Sequence, residues 1–280
     1  MLYAYIYNLL RQEFNKINNT LYSKHITVNQ LDTHYFTGGQ GKSLLIIHGG
    51  GAGAESWLNT AIQLADHYTV YIPDLPGFGK SKSSNDQFDI AQYIRFIEDF
   101  AKEIDLEQFY IMGHSVGGSL ALHYALEYPH RIKKLIALNS FGLGKEIALW
   151  LRITSHPVFI EVVGGLVTFI FKALKAISNR LHPHTIFKDP LSKVKIDIGR
   201  KTATFSGQTN VITERFKELL MPVLLIAGKK DYIVPYKQVY SAAEFICDCR
   251  VRVFPNCSHT VRGKMIPVLV NEVTDFIGKG

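Results

Sequence analysis

Three stretches of this 280-residue chain carry residues able to do acyl-transfer chemistry together. The first is Gly113-His114-Ser115-Val116-Gly117, a G-x-S-x-G pattern. Alone the pattern is weak. Here the apolar run Phe109-Tyr110-Ile111-Met112 comes directly before it, and a helical stretch from Val116 to about Glu127 follows. A serine on such a strand-to-helix turn sits on tight, strained backbone, and the residues two before and two after it must be small. Gly118 relieves crowding further. The helix aims its N-terminal amides and positive dipole end at developing negative charge, so Ser115 is the candidate nucleophile.

A serine needs a base and an acid to orient that base. Asp231 follows the apolar run Leu224-Leu225-Ile226-Ala227, and His259 follows a last strand ending near Phe254. The chain order is therefore serine, acid, histidine, each just after a strand. His259 is expected to take the Ser115 proton and return it to the leaving group. Asp231 is expected to fix the tautomer and stabilise the imidazolium. The third stretch, His48-Gly49-Gly50-Gly51-Ala52-Gly53, follows another buried strand, and glycines let backbone N–H groups approach a reacting carbonyl. The oxyanion donors expected are the amides of Gly50 and Val116. No Lys-Ser/Thr ending supports a phosphate loop. Asp74, in Pro73-Asp74-Leu75-Pro76-Gly77-Phe78-Gly79, precedes the serine and reads as a structural turn residue. His114 reads as packing or substrate lining rather than as the base.

These residues must be held by a repeating framework. Short strands are expected at Ile26–Val28 and His34–Phe36. Apolar strands at Leu44–Ile47, Thr69–Ile72, Phe109–Met112 and Leu135–Leu138 then alternate with helices at about 57–67, 90–104 and 116–127. Such alternation predicts a parallel sheet covered on both faces. The rhythm stops near Phe141 and resumes at Pro222–Ala227, with a last strand at Arg250–Phe254 and a closing helix at about 268–277. The domain reading is an amphipathic N-terminal helical extension at 1–22, a core at 23–142 and 217–280, and a helical cap at 143–216.

Composition bounds the partners. Hydrophobic residues make up 47% of the chain and charged residues 20%, as in a globular protein with a sizeable core. The formal charge is +7. Eight basic and two acidic residues crowd Lys172 to Lys201, a solvated face or a site for an anionic substrate or acidic membrane surface. No recognition motif accompanies the charge, so nucleic acid is not expected. Peripheral membrane contact is open but not favoured, and the oligomeric state is not readable. Cys247, Cys249 and Cys257 are too few for a disulfide scaffold, and with His259 they do not form a common zinc spacing. The first ten residues lack a basic n-region and a cleavage site, and no apolar run spans a bilayer. A cytoplasmic location is expected.

Taken together, His48-Gly49-Gly50-Gly51, Asp74 to Ser81, Gly113 to Gly118, Asp231 and His259 resemble the α/β-hydrolase superfamily over about residues 24–142 and 218–278. The resemblance implies an eight-stranded, mostly parallel sheet flanked by helices, and no metal or organic cofactor. His48 to Asn59 also resembles the oxyanion loop of the meta-cleavage-product C–C hydrolases, with Asn59 matching an active-site asparagine there. On that basis Asn59 is a candidate substrate-binding residue; Gly51 in the same loop and His114 beside the nucleophile are further candidates. The leading expectation is a carboxylesterase-like serine hydrolase acting on a small, fairly apolar acyl or carbonyl substrate. The alternatives are C–C hydrolysis of a dienoate diketone and a non-enzymatic ligand-binding protein that keeps the fold.

Overall fold

A computed structural model describes residues 20–51, 53–82, 89–154, 156, 202–204 and 206–278. In chain order, β1 (Leu21–Val28) and β2 (Leu31–Gly38) form a hairpin, followed by β3 (Lys42–Ile47). Next come α1 (Leu58–Leu64), β4 (Tyr68–Pro73), α2 (Ile90–Glu103), β5 (Phe109–His114), α3 (Val116–Glu127) and β6 (Ile132–Leu138). A short helix α4 (Leu149–Thr154) and two-residue strands β7 (Ala203–Thr204) and β8 (Gly207–Gln208) precede β9 (Val223–Gly228), α5 (Gln238–Ala243), β10 (Cys249–Phe254) and α6 (Met265–Ile277).

Eight strands form one sheet in the order β1-β2-β4-β3-β5-β6-β9-β10. The pairs from β4 through β10 are parallel, and β1 and β2 join antiparallel at one edge. Side chains alternate between the two faces of a strand. Leu45 and Ile47 accordingly enter the core beneath α2 and α3, while Leu44 and Ile46 enter the one beneath α1 and α6. Both faces are buried, so the central strands read as unbroken apolar runs.

The strand order positions the site. From β3 the chain moves to β4 on one side and then to β5 on the other. At such a switch point the loops leaving the carboxyl ends of the two adjacent strands open a crevice. The Gly-rich loop after β3 and the Ser115 turn after β5 both leave there.

Some expectations shift. The hairpin strands are longer than expected, and β1 begins at Leu21, inside the expected N-terminal helix. The rest of that helix, residues 1–19, lies outside the described residues. Most of the expected cap, 155 and 157–201, lies outside them too, including the basic segment. Its described margins are not wholly helical, since β7 and β8 pair as a small antiparallel ladder. Among the described residues no helix is long and apolar enough to cross a membrane.

Candidate active site

Ser115 stands between β5 and α3 with φ 57° and ψ −122°, a left-handed conformation that a non-glycine residue adopts at a cost of about 1–3 kcal/mol. Its surroundings hold it there. The Ser115 amide donates to the Leu138 carbonyl (3.0 Å), and its own carbonyl accepts from Gly118 (3.0 Å) and Phe141 (3.2 Å). The flanking glycines are required by space. A Cβ at Gly113 would run into the Gly117 carbonyl, and one at Gly117 would run into the carbonyls of Ile47 and His48. The spacing of the motif thus reflects β3, β5 and α3 meeting backbone to backbone.

The structure brings Ser115, His259 and Asp231 into one chain of hydrogen bonds. The Ser115 hydroxyl lies 2.9 Å from His259 Nε2, and His259 Nδ1 lies 2.8 Å from Asp231 Oδ2. With Nδ1 donating to the carboxylate, Nε2 is left to accept from the serine. The Asp231 side chain is 1% exposed and that of His259 is 16% exposed. The other Asp231 oxygen accepts from the amides of Ile233 (2.8 Å) and Val234 (3.0 Å), which fixes the carboxylate.

Val116 is the first residue of α3, where an N–H has no intrahelical acceptor. Gly50 and Gly51 lie in the loop after β3 and line the same cavity as Ser115. A Cβ at Gly49 would come within 3.1 Å of His114 Nδ1 and 3.2 Å of Ser115 Cβ, so this loop lies directly on the serine turn. The loop is tied down from the side of β4. His48 Nε2 accepts from the Leu75 amide (3.0 Å), and the Ala54 amide donates to Asp74 Oδ1 (2.6 Å). Asp74 is fully buried, and its second oxygen takes the Lys80 amide (3.0 Å) and His34 Nδ1 (2.6 Å).

His114 turns away from the serine. Its Nε2 donates to the His259 carbonyl (2.7 Å), and its ring meets Trp57 edge-on at 6.0 Å. Burial, with His259 beside it, pulls this imidazole down to about 4. His114 is therefore neutral near pH 7 and braces the His259 loop.

The cavity holds about 270 Å³ and is lined by Gly49–Gly51, Ser56, Trp57, Thr60, His114, Ser115, Leu138 and His259 through Arg262. Asn59 is not among these residues; it is exposed on α1. Trp57 and Thr60, three residues apart, share the helix face that turns inward, and Asn59 falls to its side. Among the described residues no cluster of His, Cys, Asp or Glu could hold a metal ion.

Sequence reasoning missed Asn139. Placed just after β6, it accepts from the Gly228 amide (2.7 Å) and donates to the carbonyls of Ser258 (3.0 Å) and His259 (2.8 Å). It thereby locks the end of β9, which leads to Asp231, to the loop bearing His259. A signal was present: Asn139 is the polar residue closing the apolar run of β6, the position at which the other strands present their site residues. Arg262 was missed because it adjoins no recognisable motif.

A family model described as alpha/beta hydrolase fold matches residues 42–167. The 2-hydroxy-6-oxo-6-(2'-aminophenyl)hexa-2,4-dienoic acid hydrolase of Metapseudomonas resinovorans is 28% identical over 261 residues, covering 90% of this chain and 89% of that protein. The 2-hydroxy-6-oxo-6-phenylhexa-2,4-dienoate hydrolase of Burkholderia cepacia is 25% identical over 287 residues, 95% of this chain and 99% of that protein. Among solved structures, a meta-cleavage product hydrolase from Pseudomonas fluorescens IP01 superposes with a TM-score of 0.71 at 21% identity, over 91% of this chain and 97% of that one. A bacterial membrane phospholipase A superposes at 0.69 with 20% identity, over 98% and 90%. At these identities the two structures share the fold with this chain.

Proposed function

Since the chain belongs to the α/β-hydrolase superfamily, we propose that it is a serine hydrolase that cleaves an ester or related acyl bond of a small molecule through Ser115, His259 and Asp231. The observation that carries this reading is the Ser115 hydroxyl, on strained backbone at the start of α3, 2.9 Å from His259 Nε2 and facing a cavity. His259 takes the hydroxyl proton as Ser115 Oγ bonds to the substrate carbonyl carbon. The amides of Val116 and Gly50 receive the oxyanion, each worth roughly 3–4 kcal/mol at the transition state. As the tetrahedral adduct collapses, His259 passes the proton to the departing oxygen, leaving an acyl-Ser115. Water, deprotonated by His259, attacks the acyl carbon, and Ser115 leaves with its proton restored.

The test is Ser115→Ala assayed on short p-nitrophenyl esters. Turnover is expected to fall by about 10⁶-fold, as when a triad serine is removed. Unchanged turnover would sink the reading.

A second reading is hydrolysis of a carbon–carbon bond beside a ketone, with the same three residues. It is favoured by curated relatives named as dienoate hydrolases, which match most of this chain. Under it, Ser115 or a water held by His259 adds to the ketone, and the carbon–carbon bond breaks with a proton passed to the departing carbon; where Ser115 adds, a second water then hydrolyses the acyl-Ser115 to the acid and frees the serine. Loss of a ring-cleavage dienol's absorbance on adding the protein would establish it, and stable absorbance across several such compounds would reject it.

A further inference from the structure

The cavity at Ser115 has a charge the acyl-transfer machinery does not use. Arg262 is one of its lining residues, three positions after His259 on the same loop. Its side chain is exposed, and among the described residues its guanidinium has neither an ion-pair nor a hydrogen-bond partner. Among the described residues that line the cavity there is no aspartate or glutamate, and Asp231 lies behind His259 with its carboxylate covered. His114 and His259 are the other titratable groups lining the cavity, and His114 is held neutral at ordinary pH. Near neutral pH the cavity wall thus carries a positive charge that no carboxylate among the described lining residues balances. Three other arginines are paired, Arg215 with Glu127 and Glu218, Arg250 with Asp275, and Arg252 with Glu272, whereas the exposed Arg95 on α2 has no ion-pair partner among the described residues and lines no part of this cavity.

We propose that Arg262 determines specificity by binding an anionic group, carboxylate or phosphate, on the leaving-group half of the substrate. The proposal rests on the serine hydrolase reading. In that mechanism His259 Nε2 must reach the departing atom to protonate it. The part of the cavity on the His259 loop is therefore the leaving-group side, and Arg262 stands on that loop. A planar guanidinium offers two parallel N–H donors to a carboxylate or phosphate, which gives direction as well as charge. Ser56, Thr60 and Thr260 add hydroxyls to the lining, and Trp57 supplies an apolar wall. The cavity thus suits a compact substrate with one anionic end better than a long neutral alkyl chain.

The test uses three esters sharing one acetyl group and one ring: 4-acetoxybenzoate, its neutral methyl ester, and 4-acetoxyphenyl phosphate. Phenol release gives kcat/KM for each. The wild type is expected to favour at least one anionic ester over the neutral one by about 10- to 100-fold, the range of a charge-assisted hydrogen bond. Which anion gains more distinguishes carboxylate from phosphate. In Arg262→Gln the anionic-to-neutral ratio should fall close to one, and in Arg262→Glu below one. Arg262→Lys should recover part of it, which excludes loss of folding as the cause. Raising salt to about 1 M should shrink the wild-type ratio and leave that of Arg262→Gln unmoved. A wild-type ratio near one, or a ratio that survives in Arg262→Gln, overturns the proposal. A fluorophosphonate probe keeps the two readings apart. If Ser115 labels but the ratio is one, only the role of Arg262 fails; if Ser115 does not label, the serine hydrolase reading fails and takes this inference with it.

Discussion

Among the described residues two Ser-His-Asp chains stand out, and their distances barely differ. Ser115, His259 and Asp231 are joined by contacts of 2.9 and 2.8 Å. At the antiparallel edge of the sheet, Ser23, His34 and Asp74 are joined by contacts of 2.8 and 2.6 Å. Both acids are buried, and both also accept backbone amides. The difference is at the serine. Ser23 is one exposed residue of a regular strand, opposite Phe36, and the next residue, Lys24, continues the ladder opposite Tyr35. No helix begins there to offer amides, and Ser23 is not among the residues lining the cavity. Ser115 has a strained backbone, the first amide of α3 beside it and a glycine loop against it. A serine-histidine-carboxylate chain is therefore, by itself, a way of tying strands together. The turn, the amides and the cavity are what equip one of the two for catalysis.

Exchanging the acids should break the comparison most sharply. In Asp231→Asn the side-chain oxygen can keep the Ile233 and Val234 amides. The new amide group faces His259 Nδ1 and forces the proton to Nε2, which then cannot accept from Ser115. Turnover of a working substrate should drop about 10⁴-fold while the urea midpoint changes little. Asp74→Ala should do the opposite. It strands the Ala54 and Lys80 amides and the buried His34 ring, and should cost about 3–5 kcal/mol of stability. Equal stability of Asp74→Ala and wild type in urea, or full activity of Asp231→Asn, would remove the distinction between the two chains.

A smaller effect concerns acid. His114 is held down to about 4 by burial and by neighbouring His259, while in the unfolded chain it titrates near 6.5. Between those values the unfolded state binds the proton that the folded state refuses. Stability from this residue is thus present above about pH 6.5 and is lost as pH falls toward 4, by about 3 kcal/mol at most. Asp231 works the other way and His48 adds to the lowering, and neither changes the direction. His114→Gln can keep the donor to the His259 carbonyl and removes the titration. Its urea midpoint should fall less than that of wild type between pH 7.5 and 4.5, and an equal fall would refute the assignment.

What was legible follows the same division. The central strands and α3 were readable because double-sided burial demands apolar runs, and because the packing of β3, β5 and α3 demands glycine at 113 and 117. Ser115 and Asp231 could be placed because each follows such a run, and His259 because it follows the last strand, a half-exposed one with arginines at 250 and 252. The edge hairpin was read too short: β1 exposes most of its residues and shows no apolar run. Asn59 was transferred by motif position, and only the turn of α1 reveals that it stands beside the inward face rather than on it. Asn139 left only the faint signal of a polar residue closing an apolar run, and Arg262 left none, because which loops meet in space is not recorded in local sequence.

Ser23 provides the finest test, because it has the contact distances of a nucleophile and lacks the rest. Ser23→Ala removes one hydrogen bond from an exposed strand residue to the buried His34 ring. Its cost should be about 1–3 kcal/mol in urea unfolding, and turnover should stay within about twofold of wild type. A fluorophosphonate probe should label Ser115 and leave Ser23 untouched, since Ser23 has no paired amides to stabilise the adduct. Mass spectrometry of the labelled peptides decides the matter. Labelling at Ser23 would mean that the hydrogen-bond chain suffices to activate a serine, and that turn, amides and cavity were given too much weight.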